Sequence, residues 1–199
     1  MTNARQSVLL FDLGGVLIES VMFSELKRLM NTDRSEAELI DIWLRNPLTR
    51  RFELGRCPPE EFSRSVVREF GVNLDPAEFL ASFSTWPKGF YDGAVGLLAD
   101  LRSQHTVCCL SNSNEVHWTS SLTAHFDRAF SSHLIGCIKP DPEAFAYVLS
   151  EIDVPAERVH FFDDAPVNVE AARRLGLNAY HTVGFGALQA ELKQLGFID

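Results

Sequence analysis

Val8-Leu9-Leu10-Phe11-Asp12-Leu13-Gly14-Gly15-Val16-Leu17 is the stretch from which the chain is best read. Its first four residues are apolar without alternation, the pattern of a strand buried on both faces of a parallel sheet. The run stops at an acid, a leucine and a glycine pair, a turn signal that leaves Asp12 at the carboxyl end of the strand. Taken alone, Asp12 reads equally well as an ordinary turn or capping residue.

Working outward, residues 106–110 (Thr-Val-Cys-Cys-Leu) and 159–162 (Val-His-Phe-Phe) are strands of the same kind, with weaker candidates at 128–131 and 178–181. Helices are expected between them. Leu97, Leu98 and Leu101 space one over 92–103. Asp141-Pro142 supplies an N-cap and a first-turn proline for another, with Phe145, Val148, Leu149 and Ile152 on one face. A third runs over 166–175 and closes at Gly176. Strands alternating with helices predict an α/β protein with a parallel sheet covered on both sides.

Roughly ninety residues separate the first two strong strands, and a parallel crossover needs only about a dozen. They read almost entirely as helix. Ser35-Glu36-Ala37-Glu38 is a capping box, residues 58–70 end at Gly71, and Asp75-Pro76 opens a helix carrying Phe79, Leu80 and Phe83. The expected organisation is a core of residues 1–15 and 89–199 with a four-helix-like, all-helical cap inserted at 16–88.

Composition narrows the possibilities. Of 199 residues, 46% are hydrophobic and 23% charged, enough to bury a core without staples. The net charge of −9 and the lack of a basic run argue against a nucleic-acid partner, because a polyphosphate would be repelled. Cys57, Cys108, Cys109 and Cys137 show no metal or disulfide spacing and read as reduced thiols. Cys108 and Cys109, adjacent on a strand, should point to opposite faces. Residues 1–7 are polar and carry no export signal, and no run approaches the ~18 apolar residues of a membrane span. A cytoplasmic location without membrane contact is expected.

Four polar clusters fall just after strands or just before helices: Asp12, Ser111-Asn112, Lys139 and Asp163-Asp164. In an open parallel sheet the carboxyl ends of the strands share one edge, so these residues should gather at a single rim. Each has a plainer reading as turn, loop or cap. Those readings do not account for four complementary clusters in this order.

The motifs Phe11-Asp12-Leu13-Gly14-Gly15-Val16-Leu17, Leu110-Ser111-Asn112, Lys139-Pro140 and Phe162-Asp163-Asp164 with Asn168 resemble the haloacid dehalogenase superfamily. The nearest likeness is to its helical-capped branch, which includes bacterial α-D-glucose-1-phosphate phosphatases. The resemblance covers nearly the whole core and extends weakly into the cap at Phe52-Glu53-Leu54-Gly55. It implies a Rossmann-like sheet, a Mg²⁺ cofactor, and a small phosphorylated metabolite such as a sugar phosphate as substrate. It also implies roles: Asp12 as covalent nucleophile; Asp12, Asp164 and the Gly14 carbonyl as metal ligands, with Asp163 as a further or outer one. Lys139 becomes the catalytic cation, and Leu13, Gly14, Ser111, Asn112 and Lys139 hold the phosphoryl oxygens. Asn168 fixes the acidic loop. The chemistry is coherent, since a carboxylate attacking a phosphate dianion needs cations to offset like-charge repulsion.

One position departs from the usual phosphatase pattern. Two residues after the nucleophile, where an aspartate commonly moves the proton, stands Gly14, and acid–base help is worth about 10²–10⁴ in rate. Three readings follow: a phosphatase whose leaving group needs little help, a metal-independent 2-haloacid dehalogenase, or a phosphate-binding regulatory module. His117 and Glu19 are alternative proton donors. Phe23, Trp43, Arg50 and Arg51 are the cap residues proposed to face the substrate.

Overall fold

The computed structural model describes residues 7–199. The reading of the amino terminus as free of an export signal falls mostly on residues 1–6, which lie outside the described residues.

The chain opens with strand β1 (Val8–Phe11) and a short strand β2 (Ile18–Ser20). Five helices follow: α1 (Met22–Met30), α2 (Glu36–Arg45), α3 (Pro47–Glu53), α4 (Pro59–Phe70) and α5 (Pro76–Phe83). Strand β3 (Pro87–Phe90) then returns to pair antiparallel with β2. Beyond it come α6 (Ala94–Arg102), β4 (Thr106–Ser111), α7 (Ser120–Thr123), β5 (Arg128–Ser131), α8 (Ser132–Ile135) and α9 (Pro142–Ile152). The last elements are β6 (Val159–Asp163), α10 (Pro166–Arg174), β7 (Asn178–His181) and α11 (Phe185–Gln194).

Five strands form one parallel sheet in the order β5-β4-β1-β6-β7. Successive side chains of a strand face opposite ways, so β1 sends Leu9 and Phe11 into one apolar layer and Val8 and Leu10 into the other. Cys109 and Cys108 divide in the same manner. Helices α6 and α11 cover the first face through Leu98, Leu101, Leu188 and Leu192. The second is covered by α9 and α10 through Phe145, Val148, Val169 and Ala172. Because β1 pairs with β4 on one side and β6 on the other, the connections diverge at its carboxyl end and open a crevice there.

The helices between β2 and β3 have an apolar centre of their own. Trp43, Phe52, Phe62, Phe79, Phe83 and Trp86 are almost fully buried within it. Capping explains several of the starts. Ser35 accepts from the Glu38 amide at 3.3 Å while Glu38 accepts from Ser35 at 2.8 Å, and Asp75 with Glu78 repeats the device. The helices number five rather than four. Asn46 accepts from the Leu48 amide at 2.8 Å and Pro47 fills the first turn, which starts α3 with only Asn46 between it and the end of α2.

Asp141 differs from its expected role as a side-chain cap of α9. It makes no capping hydrogen bond; its carboxylate pairs with the Arg50 guanidinium, tying α3 to the loop that carries Lys139.

Candidate active site

Asp12 is placed by β1, whose ladders to β4 and β6 run up to Phe11, and its own amide donates to the Phe162 carbonyl at 2.8 Å. The Leu13 amide donates to Asp12 Oδ1 at 2.7 Å and Lys139 Nζ approaches the same oxygen at 2.9 Å. Oδ1 is thereby held from two directions. Among the described residues no protein group bonds to Oδ2, which is free to react.

Lys139 is 2% exposed and is held at both ends. Its amide donates to Asn112 Oδ1 at 2.9 Å and its carbonyl accepts from Asn112 Nδ2 at 2.8 Å. Its ammonium bridges Asp12 and Asp163, the latter at 2.6 Å. Burial would pull its pKa down, but the two carboxylates more than offset this and hold it above the ordinary value. Lys139 is a permanent cation beside Asp12. The Asn112 side chain, expected at the phosphoryl group, is instead engaged in clamping the lysine loop, so its main-chain N–H is what remains for a ligand.

Asp163 was expected as a further or an outer metal ligand. It is completely buried, and Oδ1 accepts from the Ala165 amide at 2.8 Å and from Asn168 at 2.9 Å. Its Oδ2 accepts from Lys139 and from Asn168 at 3.1 Å. A carboxylate offers about four acceptor directions, and all are taken. These bonds tie Asp163 to Lys139 and to the acidic turn, the geometry of the outer place among the two expected of it. Asn168 has the loop-fixing role expected of it.

Asp164 lies against the glycine turn. A Cβ added at Gly15, where φ is +73°, would sit 2.3 Å from Asp164 Oδ2. Only glycine accepts both that backbone and that approach. A Cβ at Gly14 would meet nothing within 4 Å, so crowding does not account for the missing acid at that position.

Carboxylate oxygens of Asp12, Asp163 and Asp164 lie within 4.8 Å of one another. Burial pushes Asp12 up to about 7, with Lys139 opposing and Asp163 and Asp164 reinforcing. Burial and Asp163 push Asp164 up to about 6. Three carboxylates against one ammonium leave negative charge in excess, and hard oxygen donors are the set that suits Mg²⁺. The residues fit a dication held by Asp12 and Asp164.

A cavity of about 480 Å³ opens above these groups. Asp12, Leu13, Gly14, Ser111, Asn112, Lys139, Asp164 and Asn168 line its floor. The Ser111 hydroxyl has no protein partner among the described residues and is available to an oxyanion. A larger recess of about 790 Å³ lies between α4 and α5, around Arg64, Asp75 and Leu80. None of the four motifs reaches it, and the smaller cavity, which they line, is the candidate site.

Of the cap residues expected here, Phe23 lines the cavity and the others do not. Trp43 turns inward and donates to Glu53 at 3.0 Å; Arg50 pairs with Asp141, and Arg51 with Glu61 at 3.1 Å. Glu19 is exposed on β2 and absent from the lining, whereas Ile18 and Ser20, one residue either side, contribute to it. His117 lines the cavity, but its ring is committed. Nε2 donates to the Phe83 carbonyl at 2.8 Å and Nδ1 accepts from Asn114 at 3.3 Å. Burial lowers its pKa, and the ring is neutral with no proton free to give. Sequence reading missed Met22, Ile40, Leu44, Trp86 and Val167. Ile40 and Leu44, spaced i,i+4 beside the inward Leu39 and Trp43, form a second apolar stripe on α2 that was open to detection.

A model of the haloacid dehalogenase-like hydrolases matches residues 7–176. The chain is 28% identical over 204 residues to a sesquiterpene phosphatase of Aspergillus oryzae, covering 94% of each protein. It is 22% identical over 188 residues to D-ribitol-5-phosphate phosphatase of Bacteroides thetaiotaomicron, covering 86% of this chain and 89% of that enzyme. A solved structure of a Bacteroides thetaiotaomicron enzyme of this family, in complex with magnesium and inorganic phosphate, superposes with a TM-score of 0.71 at 24% identity. The match covers 88% of this chain and 93% of that one.

Proposed function

The chain belongs to the haloacid dehalogenase-like hydrolases, and from that premise we propose that it is a Mg²⁺-dependent phosphatase that hydrolyses a small phosphomonoester through an aspartyl phosphate on Asp12. The observation that carries this reading is Lys139. A buried ammonium held between Asp12 and Asp163 places a fixed positive charge beside a carboxylate whose second oxygen is unengaged.

Magnesium would be held by Asp12 and Asp164, with the Gly14 carbonyl as a further ligand, and would supply charge neutralisation at the phosphoryl group. The protein does the rest. A carboxylate oxygen of Asp12 attacks phosphorus as the ester P–O bond breaks, and the departing oxygen takes its proton from water, since Gly14 has no side chain to give one. Lys139, the Ser111 hydroxyl and the N–H groups of Leu13, Gly14 and Asn112 stabilise the charge on the phosphoryl oxygens. Water then attacks the phosphorus of the aspartyl phosphate, releasing inorganic phosphate and restoring the Asp12 carboxylate. The helical segment 16–88 acts as a cap that closes over the cavity and excludes bulk water.

By their names, the two relatives act on phosphates of unlike alcohols, a sesquiterpene and a pentitol, so membership of the family leaves the alcohol open. The sugar phosphate expected from the sequence finds few free partners. Asn112, Asn168 and His117 are engaged within the protein.

Phosphate release from p-nitrophenyl phosphate with and without Mg²⁺ tests the reading. Activity that stops with EDTA and with Asp12→Asn supports it, and full activity in EDTA refutes the metal assignment. Halide release from 2-haloacids without metal would establish the dehalogenase instead. Ligand binding with no turnover on any phosphoester would establish the binding module.

A further inference from the structure

Charge in the cavity is confined to one end. Its charged lining residues are Asp12, Lys139 and Asp164, all on the floor. The rest of the lining comes largely from α1, α2, the β2–β3 ribbon and the start of α10, and its large apolar side chains include Met22, Phe23, Ile40, Leu44, Trp86 and Val167.

Three of these apolar residues are exposed, which for large hydrophobic side chains invites a reason. Ile40 is 37% exposed, Leu44 49% and Val167 54%. The large exposed hydrophobics among the described residues are seven, and these three meet at one cavity although they come from elements far apart in sequence. No packing role explains the pair on α2, since Leu39 and Trp43 already anchor that helix in the core of its own segment. The polar wall groups are few: the hydroxyls of Ser20 and Ser113 keep a proton to donate, while both nitrogens of His117 are occupied. A polyol tail, with a hydroxyl on every carbon, would lose its hydration and find only those two hydroxyls to replace it.

Resting on the phosphatase reading, we infer that the substrate is the phosphate monoester of a long apolar alcohol, its phosphate on the Asp12–Lys139 floor and its hydrocarbon tail against Met22, Phe23, Ile40, Leu44, Trp86 and Val167. At roughly 30 Å³ for each water-sized group, the cavity holds the phosphate and a tail of about ten carbons. An isoprenoid and a straight-chain alcohol share this chemistry.

The test measures inhibition of p-nitrophenyl phosphate hydrolysis, and calorimetric binding in the presence of Mg²⁺, for methyl-, butyl-, octyl- and decylphosphonate. Hydrolysis of geranyl phosphate, n-decyl phosphate and glucose 6-phosphate is followed in parallel. Affinity should rise by up to about fourfold per methylene, and either ten-carbon ester should exceed glucose 6-phosphate in kcat/KM. Whichever ester is preferred identifies the branched or straight source. Leu44→Asn and Ile40→Asn, at exposed positions that tolerate polarity, should reduce the decyl-to-methyl affinity ratio by about tenfold or more, whereas Leu134→Asn, exposed elsewhere, should leave it unchanged. A flat chain-length series while Asp12-dependent hydrolysis of p-nitrophenyl phosphate persists overturns the inference and spares the phosphatase reading. Absence of Asp12-dependent hydrolysis of every ester removes both.

Discussion

Adjacent glycines in the first turn offer a matched pair in which a single methyl group should have opposite consequences. At position 15 an alanine Cβ meets Asp164 Oδ2 at 2.3 Å and its Cγ at 3.0 Å, with the backbone held at φ +73°. To regain an ordinary contact the carboxylate must retreat by about 1 Å, taking the proposed metal ligand with it. The left-handed backbone adds roughly 1–2 kcal/mol of strain for a residue with a Cβ. In a chain of this length that lowers Tm by about 2–8 °C, a modest effect. Displacement of a catalytic group by about 1 Å, by contrast, costs on the order of 10²-fold in rate. Gly15→Ala should therefore fold, lose about 10²-fold in kcat and need more Mg²⁺ for half-maximal activity. Gly14→Ala has no collision and should keep activity within a few-fold. Thermal unfolding with Mg²⁺-dependent kinetics on both variants decides the matter. Wild-type kcat and Mg²⁺ dependence in Gly15→Ala would show that Asp164 does not act from where it stands.

The open space beside Gly14 predicts that Gly14→Asp is accommodated and, by supplying a proton donor, raises kcat on simple alkyl phosphates by at least tenfold, with little gain on p-nitrophenyl phosphate; equal effects on both substrates would refute the leaving-group account. Lys139→Met leaves Asp163 buried without its partner and should cost about 3–5 kcal/mol in urea unfolding, and adding Asp163→Asn should recover stability without recovering turnover. Burial pushes Glu53 up to about 7, against the Trp43 hydrogen bond and the nearby Arg50. Below its ordinary pKa of 4.5 the carboxyl is protonated in both states, and as pH rises toward 7 the unfolded chain ionises first, so this group progressively lowers stability by about 3 kcal/mol in all. Glu53→Gln should match wild type at pH 4.5 and exceed it at pH 8 in denaturant midpoint; identical pH profiles would place Glu53 in water.

Much of the architecture is legible along the chain because its signals are local. The buried run before Asp12, the capping box at Ser35, the Asp75-Pro76 helix start and the glycine stops at Gly71 and Gly176 depend on neighbours a few residues away. The α3 helix was harder to read, since Asn46-Pro47 marks a start only if α2 is known to end at Arg45. The order of the motifs was equally readable. Parallel strands deliver their carboxyl ends to one edge, so Asp12, Ser111, Lys139 and Asp163-Asp164 had to meet once the sheet formed.

How those groups divide their work was not readable, because a side chain's role follows from which partners reach it across the fold. Asp163 and Asp164 are chemically alike neighbours, yet one has every acceptor direction filled and the other faces the glycine turn. Asn112 holds a loop twenty-seven residues away, and Arg50 turns to Asp141 across ninety-one. The apolar wall is likewise assembled from four separate elements, none of which signals a ligand on its own. Residue type and spacing dictated that an anionic phosphoryl group could be met at this edge; folding, by filling some hydrogen-bond sites and leaving apolar surface at others, selected what stands behind it.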